Sequence, residues 1–420
     1  MNHTNLVIDV EAIMAERESP RHECCIYRVP YHVRKLNVEA YIPNVVSIGP
    51  LHHYDKRLQN MERCKRVYFK QFVARTKINL EDLIGSLDET EPTLRLSYSE
   101  NLEMNKEELV KVILVDACFI VELFWKFFYA EWTDYDLDTV LKPWLSTNIR
   151  LDLLLLENQV PFFLLEKVYN LASTRPQGHI PSFLELSIKY FDYYNTQELE
   201  PNFTISHFTD LLRTFNLQPS TTLPGRAKEN ISHIQSATEL LEAGVTFQVN
   251  HTSKWKLDLH FEEGCLRIPE IEIVDTTEIL YLNMVALEQC HYPYSSYITD
   301  YIGVMDFLIN TKNDVDILVQ KKIVINRLGD NDAVAKLFNS LLKNVTIVST
   351  NSLYFDLQTG LDAFCKKWWR KGKVTLKRDY CNNTWRTLAT IGAIVILFLT
   401  FVQTVTSVWQ VVTSQNDKNV

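Results

Sequence analysis

Glycine is scarce in this chain, at 11 residues in 420. Backbones that wrap phosphates need glycine at fixed spacings, and neither G-x-G-x-x-G nor a Walker A loop occurs. H-E-x-x-H, G-x-S-x-G and the kinase signature are missing as well. The common motif-bearing forms of nucleotide, zinc-protease and serine-hydrolase chemistry are therefore excluded. The cysteines, Cys24, Cys25, Cys64, Cys118, Cys265, Cys290, Cys365 and Cys381, form no C-x-x-C pair. That scatter argues against structural zinc and for buried free thiols in a reducing compartment. The first residues carry acids among their apolar positions and lack a basic stretch followed by an apolar run, so no signal peptide is expected. Asn5 to Glu18 reads instead as a short amphipathic helix with Leu6, Val7, Val10 and Ile13 on one side. There is no internal repeat and no low-complexity tract.

Charge is absent from Thr387 to Asn416. Within that stretch Leu388 to Val412 runs to about 37 Å as a helix, long enough to cross a bilayer core with some tilt. The expectation is a transmembrane helix over 387–412 carrying Leu388, Ile391, Ile394, Ile396, Leu397, Phe401, Val405 and Trp409, with Trp385 and Trp409 near the two interfaces. Segment 365–386 holds eight cations, among them Lys366, Lys367, Arg370 and Lys371, against Asp379 alone, and so carries +7. With −9 on the whole chain and a neutral remainder after 386, residues 1–364 carry −16. A basic collar beside an apolar span belongs on the cytoplasmic side and attracts anionic headgroups. The expected partners are the lipid bilayer and a protein of unknown identity, with no nucleic acid. The expected location is a membrane, anchored at the C-terminus with the body in the cytosol.

The body is organised around Leu151 to Val168, LDLLLLENQVPFFLLEKV. Leu153 to Leu156 cover nearly the whole circumference of a helical turn, and a helix apolar on all sides belongs inside a core. Pro161 removes a backbone donor and should kink that helix near Glu157. Glu157, Asn158 and Gln159 then form a polar cluster at the kink, with Asn158 donating to a carbonyl freed near Pro161.

Helices are expected at 62–76, 78–87, 105–131, 180–195, 206–215, 236–243, 277–290, 295–311, 314–321, 332–343 and 353–369. Asp116, Glu122 and Lys126 mark 105–131 as a core helix rather than a membrane span. Ser236 with Glu239 makes a capping box, and Gly244 a stop. Residues 23–51 are broken by Pro30, Pro43 and Pro50, and Pro219 to Ser232 reads as a mobile loop. Between 245 and 274 the period becomes two, with Trp255, Leu257, Leu259 and Phe261 alternating before a turn at Glu263-Gly264. That predicts a small antiparallel β-meander. The fold class is mainly α with this meander (α+β). Residues 1–24 form an extension, 25–364 the body, 365–386 the basic segment, 387–412 the span and 413–420 a tail.

RVP at Arg28–Pro30, VSIGP at Val46–Pro50, Met61-Glu62 with Lys65, DACFIVELF at Asp116–Phe124 and LDLLLLENQVPFFLLEKVY at Leu151–Tyr169 occur in that order. SATELLEAGV at Ser236–Val245, ALEQC at Ala286–Cys290 and YITDYIGVMDFLI at Tyr297–Ile309 follow. Together they resemble the plant family called domain of unknown function 247, from about residue 25 to the C-terminus. Ala117 and Leu51 stand where that family commonly has glycine and an aromatic. The resemblance implies a plant membrane protein without established enzymatic activity, with recognition, including pollen–stigma self-incompatibility in grasses, as one family role. It supplies no catalytic, cofactor-binding or metal-binding residue to carry over.

The residues themselves leave two function classes. One is a tail-anchored interaction or recognition protein whose acidic helical body meets partners at a membrane surface, not an enzyme and with no cofactor; a signalling role is what the resemblance adds. The other is a membrane-bound enzyme using Glu157, Asn158 and Gln159, since a carboxylate in apolar surroundings has a raised pKa suited to proton transfer. His52-His53 reads as a turn rather than a metal site. N-x-S/T tripeptides begin at Asn2, Asn202, Asn230, Asn250, Asn344 and Asn382, the one feature that would suit an extracellular body.

Overall fold

A computed structural model describes residues 23–172, 180–380 and 395–407. Helix dominates, as 56% of the molecule, with small sheets beside it. The first half is built from α1 (Gln59–Thr76), α2 (Leu80–Leu96) and α3 (Lys106–Tyr129). α3 starts where the Asn105 side chain accepts the Glu108 N–H, with Glu107 and Glu108 in the dipole-favoured first turn. It ends at Ala130, which takes the left-handed conformation at φ 55°. Buried residues cover most of its circumference, and α1 lies along it most extensively. Each large apolar side chain so buried contributes about 1.5–3 kcal/mol. The three charges inside α3 are all answered: Lys65 meets Asp116 at 2.5 Å, Arg75 meets Glu122 at 2.7 Å and Lys126 meets Asp136 at 2.7 Å. At its far end Phe124 stacks on Tyr190 at 4.2 Å between ring centroids, within a group that includes Phe183, Phe191 and Phe208.

The central stretch is not a kinked helix. Helix α4 (Pro143–Asp152) stops, turns follow, and α5 (Phe162–Ala172) begins one residue after Pro161. Leu153 to Leu156 are all buried, so core placement holds while helical form does not. The chain can leave the helix here because Leu154 and Leu155 donate to carbonyls three residues back, while the Leu156 N–H and the Asp152, Leu153 and Leu155 carbonyls are met by side chains.

Beyond it come α6 (Phe183–Tyr190), α7 (Phe208–Asn216), α8 (Ala237–Glu242), α9 (Thr277–Cys290), α10 (Tyr297–Leu308), α11 (Lys312–Gln320), α12 (Asn331–Leu341) and α13 (Ser352–Tyr380). The capping box of Ser236 and Glu239 is present, and α9 spans the expected residues. The β part differs from a meander. Strand β2 (Thr246–Val249) pairs in parallel with β4 (Cys265–Ile268), which pairs antiparallel with β3 (His260–Glu262). β5 (Ile271–Ile273) leaves that sheet and pairs in parallel with β6 (Val324–Asn326). Trp255 and Leu257 lie in the connection, not in a strand. Only the turn at Glu263-Gly264 joins neighbours as a hairpin. The expected loop at 219–232 contains β1 (Arg226–Ala227), paired with β7 (Thr350–Asn351).

The expected transmembrane helix is not supported. Among the described residues no helix is long and apolar enough to cross a membrane. The long helix α13 carries Lys366, Lys367, Arg370 and Lys371, which make it too polar. Ile396, Leu397, Phe401 and Val405 lie on a helical segment over 395–407. Leu388, Ile391, Ile394 and Trp409 lie outside the described residues.

Candidate functional site

Two places could carry chemistry: the polar cluster in the central turns and a cavity in the second half. In the cluster, Glu157 is fully buried. Its Oε1 accepts the Val29 N–H at 3.0 Å and Arg34 Nε at 2.9 Å. Its Oε2 accepts Arg28 Nη1 at 3.2 Å, and His52 Nε2 stands 3.2 Å away. Burial pushes the carboxyl up, but His52, Arg34 and the Val29 N–H outweigh it and hold Glu157 below the usual range. The expected raised pKa is thus reversed. A carboxylate pinned in its charged form is poorly suited to proton transfer near neutrality.

Asn158 and Gln159 are equally committed. Asn158 Oδ1 accepts the Ile48 N–H at 2.7 Å, and its Nδ2 donates to the Val46 and Asp152 carbonyls at 3.0 and 2.9 Å. Its partner is therefore the 46–48 segment, not a carbonyl near Pro161. Gln159 Nε2 donates to the Leu153 and Leu155 carbonyls, both at 2.7 Å, and its Oε1 accepts the first N–H of α7, from Phe208, at 2.9 Å.

Four groups around the cluster escape sequence reasoning. Asp152 is fully buried and accepts the N–H groups of Asn44, Val45 and Val46 at 2.7–2.9 Å. Burial pushes its carboxyl up to about 6 against those donors. Asp116 accepts the Gly49 N–H at 2.8 Å. Lys65 donates to the Ser47 carbonyl at 2.8 Å. Asn283 on α9 accepts the Leu156 N–H at 2.9 Å and donates to the Ala40 carbonyl at 2.8 Å. The irregular segment 40–49 is thus held by side chains from four helices and the central turns. Its proline content was the one local sign that its backbone would need such partners.

The cavity has a volume of about 680 Å³ and lies between α7, the 250–256 connection, β5 and the first turns of α9. Leu212, Ile271, Leu280 and Met284 are its apolar lining, and Lys256, Tyr281, Tyr301 and the carboxylates Glu270 and Glu272 line it as well. Its size is that of a small-molecule site. Trp255 and Lys256 had been assigned to a strand by their alternation, which hid their place in this wall.

Of the basic residues, Lys366 and Lys367 line neither place, and the side chains of Arg370 and Lys371 lie outside the described residues. Lys366 and Lys367 are exposed on α13. His52 belongs to the Glu157 cluster, in a turn as expected. Among the described residues no group of three or more His, Cys, Asp or Glu is arranged to hold a metal ion. Of the N-x-S/T asparagines, Asn250 is buried with its Nδ2 on the Asp258 carbonyl, and the Nδ2 atoms of Asn230 and Asn344 are bonded to the Ile347 and His32 carbonyls.

The chain is similar over most of its length to two Arabidopsis thaliana proteins. It is 28% identical to UPF0481 protein At3g47200, across 95% of this chain and 89% of that protein. It is 22% identical to the putative UPF0481 protein At3g02645, across 95% of this chain and 93% of that one. No solved structure matches it. The family model described as plant protein of unknown function, DUF247, matches residues 26–399, which takes in every segment that builds the Glu157 cluster and the cavity. The chain belongs to the DUF247 family of plant proteins.

Proposed function

We propose that this protein is a recognition component that works by binding a protein partner rather than by catalysis. The observation that carries this reading is a set of aromatic side chains held in water. Tyr31 is 80% exposed, Tyr294 71%, Tyr54 65%, Tyr193 64% and Trp144 61%. Tyrosine and tryptophan dominate the energetics of protein interfaces because they bury large area at small entropic cost. The strongly acidic 1–364 region favours a basic partner surface and fast, salt-sensitive association. The commitment of Glu157, Asn158 and Gln159 to backbone and guanidinium partners supports the same reading, since it withdraws the residues on which the enzymatic alternative rested.

The test is quantitative capture from plant tissue at low and moderate salt, with the wild-type protein and with Tyr31→Ala, Trp144→Ala and Tyr294→Ala. A basic partner that is lost with at least one variant of unchanged melting temperature, and that weakens with salt, is the expected result. An identical set of captured proteins for all four would overturn the proposal.

A further inference from the structure

The 680 Å³ cavity carries an inference that is independent of the protein-partner reading. Two features set it apart from a packing defect. Packing defects are small and apolar, whereas this space could hold a ligand of several rings and is lined by polar groups that the protein leaves unused.

The first unused group is Lys256. Among the described residues no carboxylate stands within ion-pairing distance of its ammonium. Burial pulls its pKa down, with the charge of Glu272 acting weakly in the opposite direction. Glu272 itself is engaged elsewhere, with Arg327 Nε at 2.8 Å. A half-buried ammonium that makes no direct ion pair, with Glu272 acting on it only at a distance, would gain from an incoming anion.

The second is a pair of phenols. Tyr301 is 2% exposed, and Tyr281 lies beside it on the cavity wall. Neither hydroxyl is hydrogen-bonded to a described residue. Neither hydroxyl is sealed off, so each remains available as a donor to a molecule in the cavity. Leu212, Ile271, Leu280 and Met284 in the same lining offer apolar contact.

We propose that this cavity is a binding site for a small organic acid, an apolar ring system with one carboxylate that pairs with Lys256 and a further acceptor that meets the Tyr281 hydroxyl. Charge and shape divide the work. The apolar wall supplies affinity through burial, and Lys256 supplies the preference for an anion.

The experiment titrates the full-length protein with 1-pyrenebutyrate and with its neutral amide, followed by pyrene fluorescence and calorimetry. The two probes share an apolar body and differ in charge. The expected result is one saturable site per chain, with the carboxylate bound at least about tenfold more tightly than the amide. Lys256→Met and Lys256→Gln should abolish that preference and leave amide binding unchanged, whereas Lys256→Arg should keep it. Equal affinity for the two probes, a preference that survives Lys256→Met, or no saturable binding to either probe would each overturn the proposal.

Discussion

Asn158 pairs with Ile48 as a neighbouring strand would: its side-chain carbonyl takes the Ile48 N–H at 2.7 Å while its amide gives to the Val46 carbonyl two residues back at 3.0 Å. One side chain thus replaces a rung of sheet for a segment that has no sheet. Asn158→Leu leaves the Ile48 donor and the Val46 and Asp152 carbonyls unpaired inside the core. The expected loss is about 2–4 kcal/mol, read as a lower denaturation midpoint with unchanged slope. Asn158→Asp should also destabilise, because a carboxylate cannot donate to those carbonyls. An unchanged midpoint for both variants would refute the assignment.

Gly49 directly follows Ile48 and lies in the left-handed region, at φ +73°, where a Cβ would sit 2.5 Å from the Gln159 carbonyl oxygen. Gly49→Ala therefore combines backbone strain with a clash against the backbone of the central turns. It should cost about 3 kcal/mol, measured by thermal or urea unfolding. Gly85, where an added Cβ would meet nothing within 4 Å, is the control. Alanine there sits within a helix and should be neutral or slightly stabilising.

The Glu157 cluster should show its charge in the pH dependence of stability. Its carboxyl is held below the ordinary range in the folded protein. The stability it contributes is therefore fully present above the unfolded value of about 4.3, and is lost as pH falls through the lower folded one. Glu157→Gln should cost about 2–4 kcal/mol at pH 7, less than a fully enclosed ion pair because Arg28 and Arg34 keep some contact with water. The difference from wild type should shrink towards pH 3. A pH-independent difference would mean that shape rather than charge sets the cost.

Lys65 offers the complementary case, a cation sealed beside Asp116 with both side chains about 1% exposed. Lys65→Met strands the Asp116 carboxylate and the Ser47 carbonyl, at an expected cost of about 3–5 kcal/mol near neutrality. Lowering the pH should recover part of that loss, because burial already raises the Asp116 carboxyl and removal of Lys65 raises it further. Equilibrium unfolding of both proteins at pH 5 and pH 7 measures the effect.

Local pattern was a good guide wherever local forces decide the outcome. The bounds of Thr277–Cys290 and the Ser236/Glu239 cap depend on neighbours in sequence, and both could be read there. Leu153 to Leu156 could not, because an all-apolar run marks burial without marking conformation, and the turns they form are stabilised by Asn158, Gln159 and Asn283 acting from outside the local period. The alternation at 245–274 likewise revealed extended chain but not partners: β5 pairs with residues more than fifty positions away. Of the Glu157 cluster, the three consecutive polar residues were visible. Arg28, Arg34 and His52 were not, since nothing in their own surroundings points to a carboxylate over a hundred residues later. The cavity was invisible for the same reason.

The reliance of segment 40–49 on Asp152 and Asn158 also sets a timetable for synthesis. Val46 leaves the ribosome 106 residues before the carboxylate that will receive its N–H. At ordinary translation rates that interval is roughly 5–20 s. Throughout it, Val45, Val46 and Ile48 have neither a helix nor a sheet of their own in which to pair their backbone. The nascent chain therefore carries an apolar, extended stretch with unpaired backbone for seconds, which makes it a natural client for chaperones that act on nascent chains, and slowing elongation between codons 46 and 152 should lengthen that dependence in direct proportion.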